Sequence, residues 1–375
     1  MKRLLPAVLI LACSKPTVAP ATPTTWNARA AAAYLDSRQS WWQSWPTAKR
    51  DHETSCVSCH TAVPYALARP ALRVALHEQR VTAAEQRLVD NVTKRVRLWN
   101  EIEPFYPDQK NGLPKTSESR GTEAILNALI LATRDAQAGK GSDEGRAALG
   151  NMWQLQFRNG DIAGAWAWLN FHLEPWESGD ATYFGAALAA IAVGTEPDGY
   201  ATRADMQDRV RPLRDYLTKR LATQTLFNRV TLLWASGKLP GLLSDRERQS
   251  IIDEAGSKQL ADGGWSLQSL GQWKRADGSL ADTASDGYAT GMIAYALQQS
   301  GSAPTEPRVA KALAWLERHQ DRASGRWVAS SLNKRRDPAS DIGKFMSDAA
   351  TAYAVLALTQ AHASPPSQYS AAASH

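Results

Sequence analysis

The segment Cys56-Val57-Ser58-Cys59-His60 has the most specific chemical pattern in the sequence. It is a C-x-x-C-H motif, in which the two thiols each form a thioether with one vinyl group of a porphyrin. The histidine that follows then reaches the iron from the proximal side. The spacing therefore predicts one covalent haem c, attached through Cys56 and Cys59, with His60 as an iron ligand.

Two other kinds of site use the same residues. A redox-active C-x-x-C dithiol needs a thioredoxin-like βαβ context, and strand patterns are almost absent from this sequence. A zinc site would combine His52 with Cys56, Cys59 and His60. The direct succession of Cys59 and His60 would strain a tetrahedral ligand shell. The haem interpretation is therefore preferred.

The sequence does not mark the sixth iron ligand. Met346 lies just before the last predicted helix, and His172 lies in the tryptophan-rich loop 166–176. Thioether and imidazole side chains are both common haem ligands. Met346, His172 and an open or water-bound position are all retained as alternatives.

The N-terminus has the features of an export signal. Lys2 and Arg3 precede the apolar run 4–12, which is too short to span a bilayer. The run ends in Ile-Leu-Ala-Cys13, which resembles a bacterial lipobox and predicts lipidation of Cys13. Cleavage elsewhere, with Cys13 lost or left free, is the alternative. We expect a periplasmic or cell-surface lipoprotein attached to a bacterial membrane.

The composition excludes some classes of protein. The chain has 375 residues, 43% of them hydrophobic, and 14 tryptophans, so it can bury a large core. Its basic excess of 6 falls to 4 without Lys2 and Arg3, which is too small to suggest nucleic-acid binding. The three cysteines are all assigned, to lipid and haem, and none remains for a disulfide.

Apolar residues recur at spacings of three and four, with alanine and leucine dominant, which predicts an all-α protein. The predicted organisation is a signal peptide (1–12), a lipidated tether (13–25), one helical domain (26–361) and a disordered tail (362–375). Twelve helical segments fall into six pairs. They are 27–43 with 58–76, 83–100 with 118–138, 144–157 with 181–194, 202–220 with 224–237, 245–256 with 286–300, and 307–318 with 348–361.

The second helix of each pair opens with small or acidic residues, and the cysteine motif occupies this position in the first pair. Helix capping explains acids at such positions. If the pairs form a ring, however, the same acids line one mouth beside the haem, with aromatic walls. The acids are Glu118, Glu123, Asp180, Asp286 and Asp348. The aromatic residues are Tyr183, Tyr288, Trp166, Trp168 and Trp273.

A second motif precedes several of these helices. Gln259 to Trp265 fits Q-x3-G-x-W, Gln320 to Trp327 is one residue longer, and Gln156 to Gly160 begins the pattern with Trp166 displaced. These segments resemble the QW repeat of squalene–hopene cyclases and the related prenyltransferases. The resemblance implies that Gln caps helix ends, that Trp packs on it, and that six hairpins close into an (α/α)6 toroid.

The chemistry of that family is not expected here. The D-x-D-D acid of the cyclases has no match, and no cysteine follows Cys59 to serve as a prenyltransferase zinc ligand. Whether the protein is an enzyme therefore stays open. Candidate catalytic residues are Asp180, Asp286, Asp348 and Glu118.

Three functions are compatible with these residues. The first is a membrane-tethered c-type cytochrome that transfers electrons to a redox partner protein. The second is a haem-dependent oxidoreductase acting on a small or apolar molecule in the toroid cavity. The third is a ligand-binding or sensor module with a cyclase-like scaffold.

Overall fold

The computed structural model describes residues 26–362. The predicted signal, the tether with Cys13, and the tail from residue 363 onward lie outside the described residues. The described chain is mostly helical, which confirms the all-α prediction. Its helices are α1 Ala28–Ser44, α2 Ala62–Ala75, α3 Ala83–Arg97, α4 Asp108–Asn111, α5 Lys115–Ala138, α6 Asp143–Gln154, α7 Ala181–Thr195, α8 Gln207–Arg220, α9 Leu226–Lys238, α10 Asp245–Ser257, α11 Gly287–Gln299, α12 Pro307–Arg318 and α13 Phe345–His362.

Two short strands precede α2. They are β1 Lys49–Arg50 and β2 Thr54–Ser55, paired antiparallel with Lys49 opposite Ser55. Each of the twelve predicted segments coincides with a helix to within a few residues. The additional helix α4 was not predicted, because four residues give no readable period.

Six helices contact one another in a closed order: α2, α5, α7, α9, α11, α13 and back to α2. The other long helices each contact one or two members of this cycle. Helices α7 and α13 are buried on nearly all sides and consist mainly of alanine and other apolar residues. A helix surrounded by protein needs apolar residues all round, whereas one with a wet face needs only a stripe.

Small residues permit the close approach of neighbouring helices in this cycle. A Cβ atom added to Gly291 of α11 would lie 2.5 Å from the backbone nitrogen of Ala354 in α13. That separation is far below van der Waals contact, so Gly291 is required by the packing of α11 on α13.

Three glutamines make the same pair of hydrogen bonds. The amide nitrogen of each donates to a glycine carbonyl in its own loop and to a carbonyl at the start of another helix. The acceptors are Gly164 and Arg209 for Gln156, Gly263 and Arg308 for Gln259, and Gly325 and Asn27 for Gln320. These bonds link α6 to α8, α10 to α12, and α12 to α1.

Two details of this pattern could not be read from the sequence. The glycine that pairs with Gln156 is Gly164 (φ 94°), two residues before Trp166, and not Gly160. Gln320 also accepts a hydrogen bond from the backbone nitrogen of Asn27 at 2.6 Å, 293 residues away in the sequence. This contact ties the last hairpin to the first.

Candidate functional site

The segment 56–60 lies between β2 and α2 and is held at several points. The backbone nitrogen of Cys56 donates to the carbonyl of Ala48 at 2.8 Å, and its carbonyl accepts from the Trp42 indole at 2.7 Å. The hydroxyl of Ser58 accepts from the backbone nitrogens of Thr61 (3.3 Å) and Ala62 (3.0 Å). Ser58 thus caps α2 from inside the motif and leaves the His60 side chain free of that role.

The hydrogen bonding of His60 defines the tautomer of its imidazole. Its Nδ1 lies 2.8 Å from the Thr61 hydroxyl, which donates its own proton to Asp348 at 2.8 Å. Because that proton is used, Nδ1 must donate to Thr61, and Nε2 carries the lone pair. Burial, with a contribution from Arg38, lowers the pKa of His60 to about 3, so the ring is neutral at physiological pH.

Asp348 is a buried anchor and not an acid facing a cavity. Its carboxylate accepts hydrogen bonds from the Tyr34 hydroxyl at 2.7 Å and from Nε of Arg38 at 2.8 Å, besides the bond from Thr61. It is 1% exposed. Burial raises the pKa of Asp348, and Arg38 opposes that rise. The carboxylate therefore joins α1, α13 and the start of α2.

Aromatic rings surround His60. The Phe345 ring stacks on it with centroids 3.8 Å apart, and Trp42 meets it edge-on at 4.9 Å. Trp176 lies at 6.0 Å and donates its indole N–H to the Tyr288 hydroxyl at 2.9 Å. The residue of α13 that packs on His60 is Phe345, the neighbour of the predicted ligand candidate Met346. The Met346 side chain is buried.

Cys56 is buried and Cys59 half-buried, and both thiols are free. Burial raises the pKa of Cys56 to about 12 and also raises that of Cys59. Neutral thiols are poor redox nucleophiles and must lose a proton to bind zinc. Two free neutral thiols beside an imidazole with an available Nε2, among aromatic rings, fit a covalently attached haem.

Glu177 was not foreseen from the sequence. The charge of its half-buried carboxyl raises the pKa of both Cys56 and Cys59. Burial raises the pKa of Glu177 to about 7, and Lys115 opposes the rise. The loop that presents it is closed by backbone bonds between Leu173 and Glu177. The one sequence signal was its position beside Trp176 in the tryptophan-rich loop.

Tyr106 also faces the motif. The neighbouring Cys56, together with burial and Glu177, raises its pKa. Its ring meets Phe171 edge-on at 5.0 Å, and the Arg50 guanidinium lies 5.1 Å above it. We call Cys56, Cys59, His60, Tyr106, Trp176 and Glu177 the rim site.

Each of the predicted acids has hydrogen-bond or ion-pair partners of its own. Asp286 caps α11 by accepting hydrogen bonds from the backbone nitrogens of Tyr288 and Ala289, both 2.9 Å, and burial raises its pKa to about 6. Asp180 is exposed, and its carboxylate accepts hydrogen bonds from Ser178 at 2.7 Å and from Asn228 at 3.2 Å. Glu118 pairs with Lys115 at 2.6 Å. Helix capping therefore explains why an acid occurs at Asp286, and ion pairing explains Glu118, because each carboxylate has a hydrogen-bond donor nearby in the sequence.

A fully buried ion pair accounts for the remaining acid, Glu123. Arg95 binds it through Nε at 2.5 Å. Of the predicted aromatic wall, Tyr288 contributes to the rim site through Trp176. Trp166 instead donates to the carbonyl of Met152, and Tyr183 donates to that of Leu217. His172, the other candidate iron ligand, is exposed on the loop 171–177.

Comparisons with known proteins identify a similar architecture and no related sequence. No family model matches the chain, and no curated protein matches it. A solved structure described as a glycosidase with a single glutamate-to-alanine substitution is similar to it, with a TM-score of 0.50 and 12% sequence identity. The alignment covers 89% of this chain and 95% of the glycosidase chain. An identity this low is informative about the fold and not about the chemistry.

Residues 26–362 lack two further features. Within that range no group of three or more His, Cys, Asp or Glu side chains is placed to hold a bare metal ion. Among the helices of the same range, none is both long and apolar enough to cross a membrane.

Proposed function

We propose that this protein is a c-type cytochrome that binds one covalent haem and takes part in electron transfer. The observation that carries the proposal is the geometry of His60, whose Nδ1 is held by Thr61 and Asp348 so that Nε2 is available. Cys56 and Cys59 would hold the porphyrin through thioethers. When bound, the haem supplies one-electron redox chemistry at its iron.

The scaffold is proposed to be an (α/α)6 toroid. The closed order of contacts among α2, α5, α7, α9, α11 and α13 supports it, and so does the bond from Gln320 to Asn27. In this architecture the rim site lies at the starts of α2 and α13. The first and last hairpins meet there, so the haem would be attached where the ring closes.

The residues around His60 have separate roles in this proposal. Thr61 and Asp348 orient the imidazole, since a fixed bond at Nδ1 sets both the tautomer and the ring plane. Phe345 and Trp42 exclude water from its faces. A dry aromatic environment lowers the polarity around the iron and thereby influences its reduction potential.

The proposal includes an exported, lipid-anchored location and a redox partner protein. Cys13 would be the lipidated residue, and a membrane anchor would keep the protein near its partners. These statements rest on the sequence, because residues 1–25 lie outside the described residues.

Covalent haem content tests the proposal directly. The protein is produced in a bacterium that attaches haem c, and haem is measured by the pyridine haemochrome spectrum and by intact mass. We expect one haem per chain, which is lost in Cys56→Ala/Cys59→Ala. Cys13→Ala is the matched control, because it removes a thiol outside the motif and should leave the haem content unchanged. A wild-type protein without covalent haem would refute the proposal.

A second function, a haem-dependent oxidoreductase, is favoured by Glu177 and Tyr106. Glu177, with its pKa raised to about 7, could accept or release a substrate proton, and Tyr106, whose raised pKa keeps its hydroxyl protonated, could donate a hydrogen bond to the substrate. Carbon monoxide added to the ferrous protein separates the two functions. An electron carrier with two protein ligands leaves the spectrum unchanged, whereas an open iron site shifts it.

A further inference from the structure

A surface cleft lies beside the rim site. It is lined by two tryptophans at the end of α1 and by part of the loop before α13, and its volume is about 580 Å³. This volume falls within the range of small-molecule sites, roughly 300–1,000 Å³. We call it the Trp–Arg cleft; its principal lining residues are Trp41, Trp45, Lys334, Arg335, Arg336 and Asp341.

One side of the Trp–Arg cleft is aromatic and flat. The rings of Trp41 and Trp45 stack with centroids 5.1 Å apart and an angle of 22° between their planes. Both side chains are half-buried, so part of this indole surface faces solvent. Trp45 stacks on the Trp41 ring, and the Arg38 guanidinium also lies over that ring, 4.4 Å from its centroid, so Trp45 is the indole left for another planar ring to stack on.

The other side carries an excess of available positive charge. Asp341 in this wall is already paired, with Nη1 of Arg38 at 2.9 Å and with Lys344 at 3.7 Å. Within residues 26–362, by contrast, Lys334 and Arg336 form no ion pair. Asp337 also lines this wall, but Lys334, Arg335 and Arg336 together outnumber it, so an anionic group in the cleft would meet net positive charge.

The basic wall is held in place before any ligand arrives. The backbone nitrogen of Arg335 donates to Asp277 at 2.7 Å. Two residues earlier, the Asn333 amide bonds both the nitrogen and the carbonyl of Glu174, at 2.7 and 2.8 Å. A wall fixed in this way loses little conformational entropy on binding.

We propose that the Trp–Arg cleft binds a planar aromatic anion. Its rings would lie on Trp45, and its acidic group would contact Lys334 and Arg336. The proposal goes beyond covalent haem binding and does not depend on it. Phe345 lies between the two sites, since its ring is 6.1 Å from that of Trp41 and 3.8 Å from that of His60. An occupant of the cleft would thus rest on side chains that contact the rim site.

Calorimetric titration of the full protein with anthraquinone-2-sulfonate tests the proposal. We expect one binding site, weakened about tenfold or more in Lys334→Gln/Arg336→Gln. Arg211→Gln/Lys219→Gln is the matched control, because it removes the same charges from exposed positions on α8. Absence of binding to the wild type, or equal weakening by both double variants, would overturn the proposal.

Two further measurements separate a built site from simple charge attraction. Inorganic sulfate should bind at least tenfold more weakly than the aromatic sulfonate, and Trp45→Leu should narrow that difference. If sulfate binds as tightly as the sulfonate, the site recognises charge alone and the aromatic part of the proposal is wrong. Circular dichroism of each variant confirms that it is folded, and haem content measured on the same samples tests the proposed function separately.

Discussion

Helices α11 and α13 each have an aspartate near the start, Asp286 as the N-cap of α11 and Asp348 within the first turn of α13. At α11 the carboxylate of Asp286 accepts hydrogen bonds only from backbone nitrogens, those of Tyr288 and Ala289 in its own helix and that of Leu267 in the preceding segment. At α13 the carboxylate of Asp348 is used at long range, on Arg38 and on Thr61, which holds His60. The same residue type therefore caps a helix in one hairpin and supports the candidate iron ligand in the other.

The difference shows that an acid at a repeated position does not identify a catalytic group. What distinguishes the two is the neighbouring hairpin. Helix α13 meets the first hairpin, where Ser58 already caps α2 and frees the adjacent Thr61 hydroxyl. Asp348 is thereby able to act on His60 through Thr61, whereas Asp286 has its own helix to cap.

The largest effect is expected for Asp348→Ala. It leaves Arg38 without its buried partner, and breaking a buried pair in this way costs about 3–5 kcal/mol. Urea denaturation followed by circular dichroism measures the loss. Asp341→Ala is the control, because Asp341 is about half exposed and its loss should cost under ~1 kcal/mol. Equal costs for the two variants would show that Asp348 is not the anchor described here.

Glu177→Gln should change how stability depends on pH. The folded-state pKa of about 7 lies above the ordinary value of 4.5, so the folded protein holds a proton that the unfolded chain lacks. This contribution is complete below pH 4.5 and is lost as the pH rises through 7. The wild type should therefore lose roughly 1–3 kcal/mol relative to Glu177→Gln across this window.

Unfolding at a series of pH values measures this difference. Glu53→Gln is the matched control, because Glu53 is exposed and should leave the pH profile of the wild type unchanged. A Glu177→Gln profile parallel to that of the wild type would contradict the placement of Glu177 in a buried environment.

Thr61→Val should cost about 1–2 kcal/mol, because it leaves Nδ1 of His60 without a partner and removes one of the two hydrogen bonds to Oδ2 of Asp348. In the haem protein it should also raise the reduction potential, since Nδ1 loses the bond that makes the imidazole a stronger donor. Redox titration measures the shift. Thr61→Ser keeps the hydroxyl and should restore the wild-type potential; a failure to do so would point to packing as the cause.

The smallest effects are expected at the other helix starts. Asp286→Ala removes a cap and should cost about 1 kcal/mol. Asp180→Ala should cost somewhat less, roughly 0.5 kcal/mol, because its side chain is exposed and caps no backbone nitrogen of α7, although its carboxylate accepts hydrogen bonds from Ser178 and Asn228. Thermal unfolding of both variants shows which substitution lowers stability more. A larger loss for Asp180 than for Asp286 would reverse our assignment of their roles.

Much of the fold was predictable because it depends on local patterns. The three-and-four spacing of apolar residues located twelve helices, and the glutamine–tryptophan motifs marked the loops that link them. The displaced motif at Gln156 was misread at Gly160. The carbonyl of Gly164 accepts the hydrogen bond from Gln156. The longer loop changes the number of residues between the glutamine and the glycine, but it keeps the same hydrogen bond.

The candidate site was predictable only in part. The sequence by itself determined that Cys56, Cys59 and His60 lie together, because all three fall within five consecutive residues and the chain keeps them close in any fold. The tertiary structure alone decided that Phe345 and Glu177 surround them and that Asp348 supports His60. Those contacts join residues far apart in the chain, and their geometry follows from how the first and last hairpins pack.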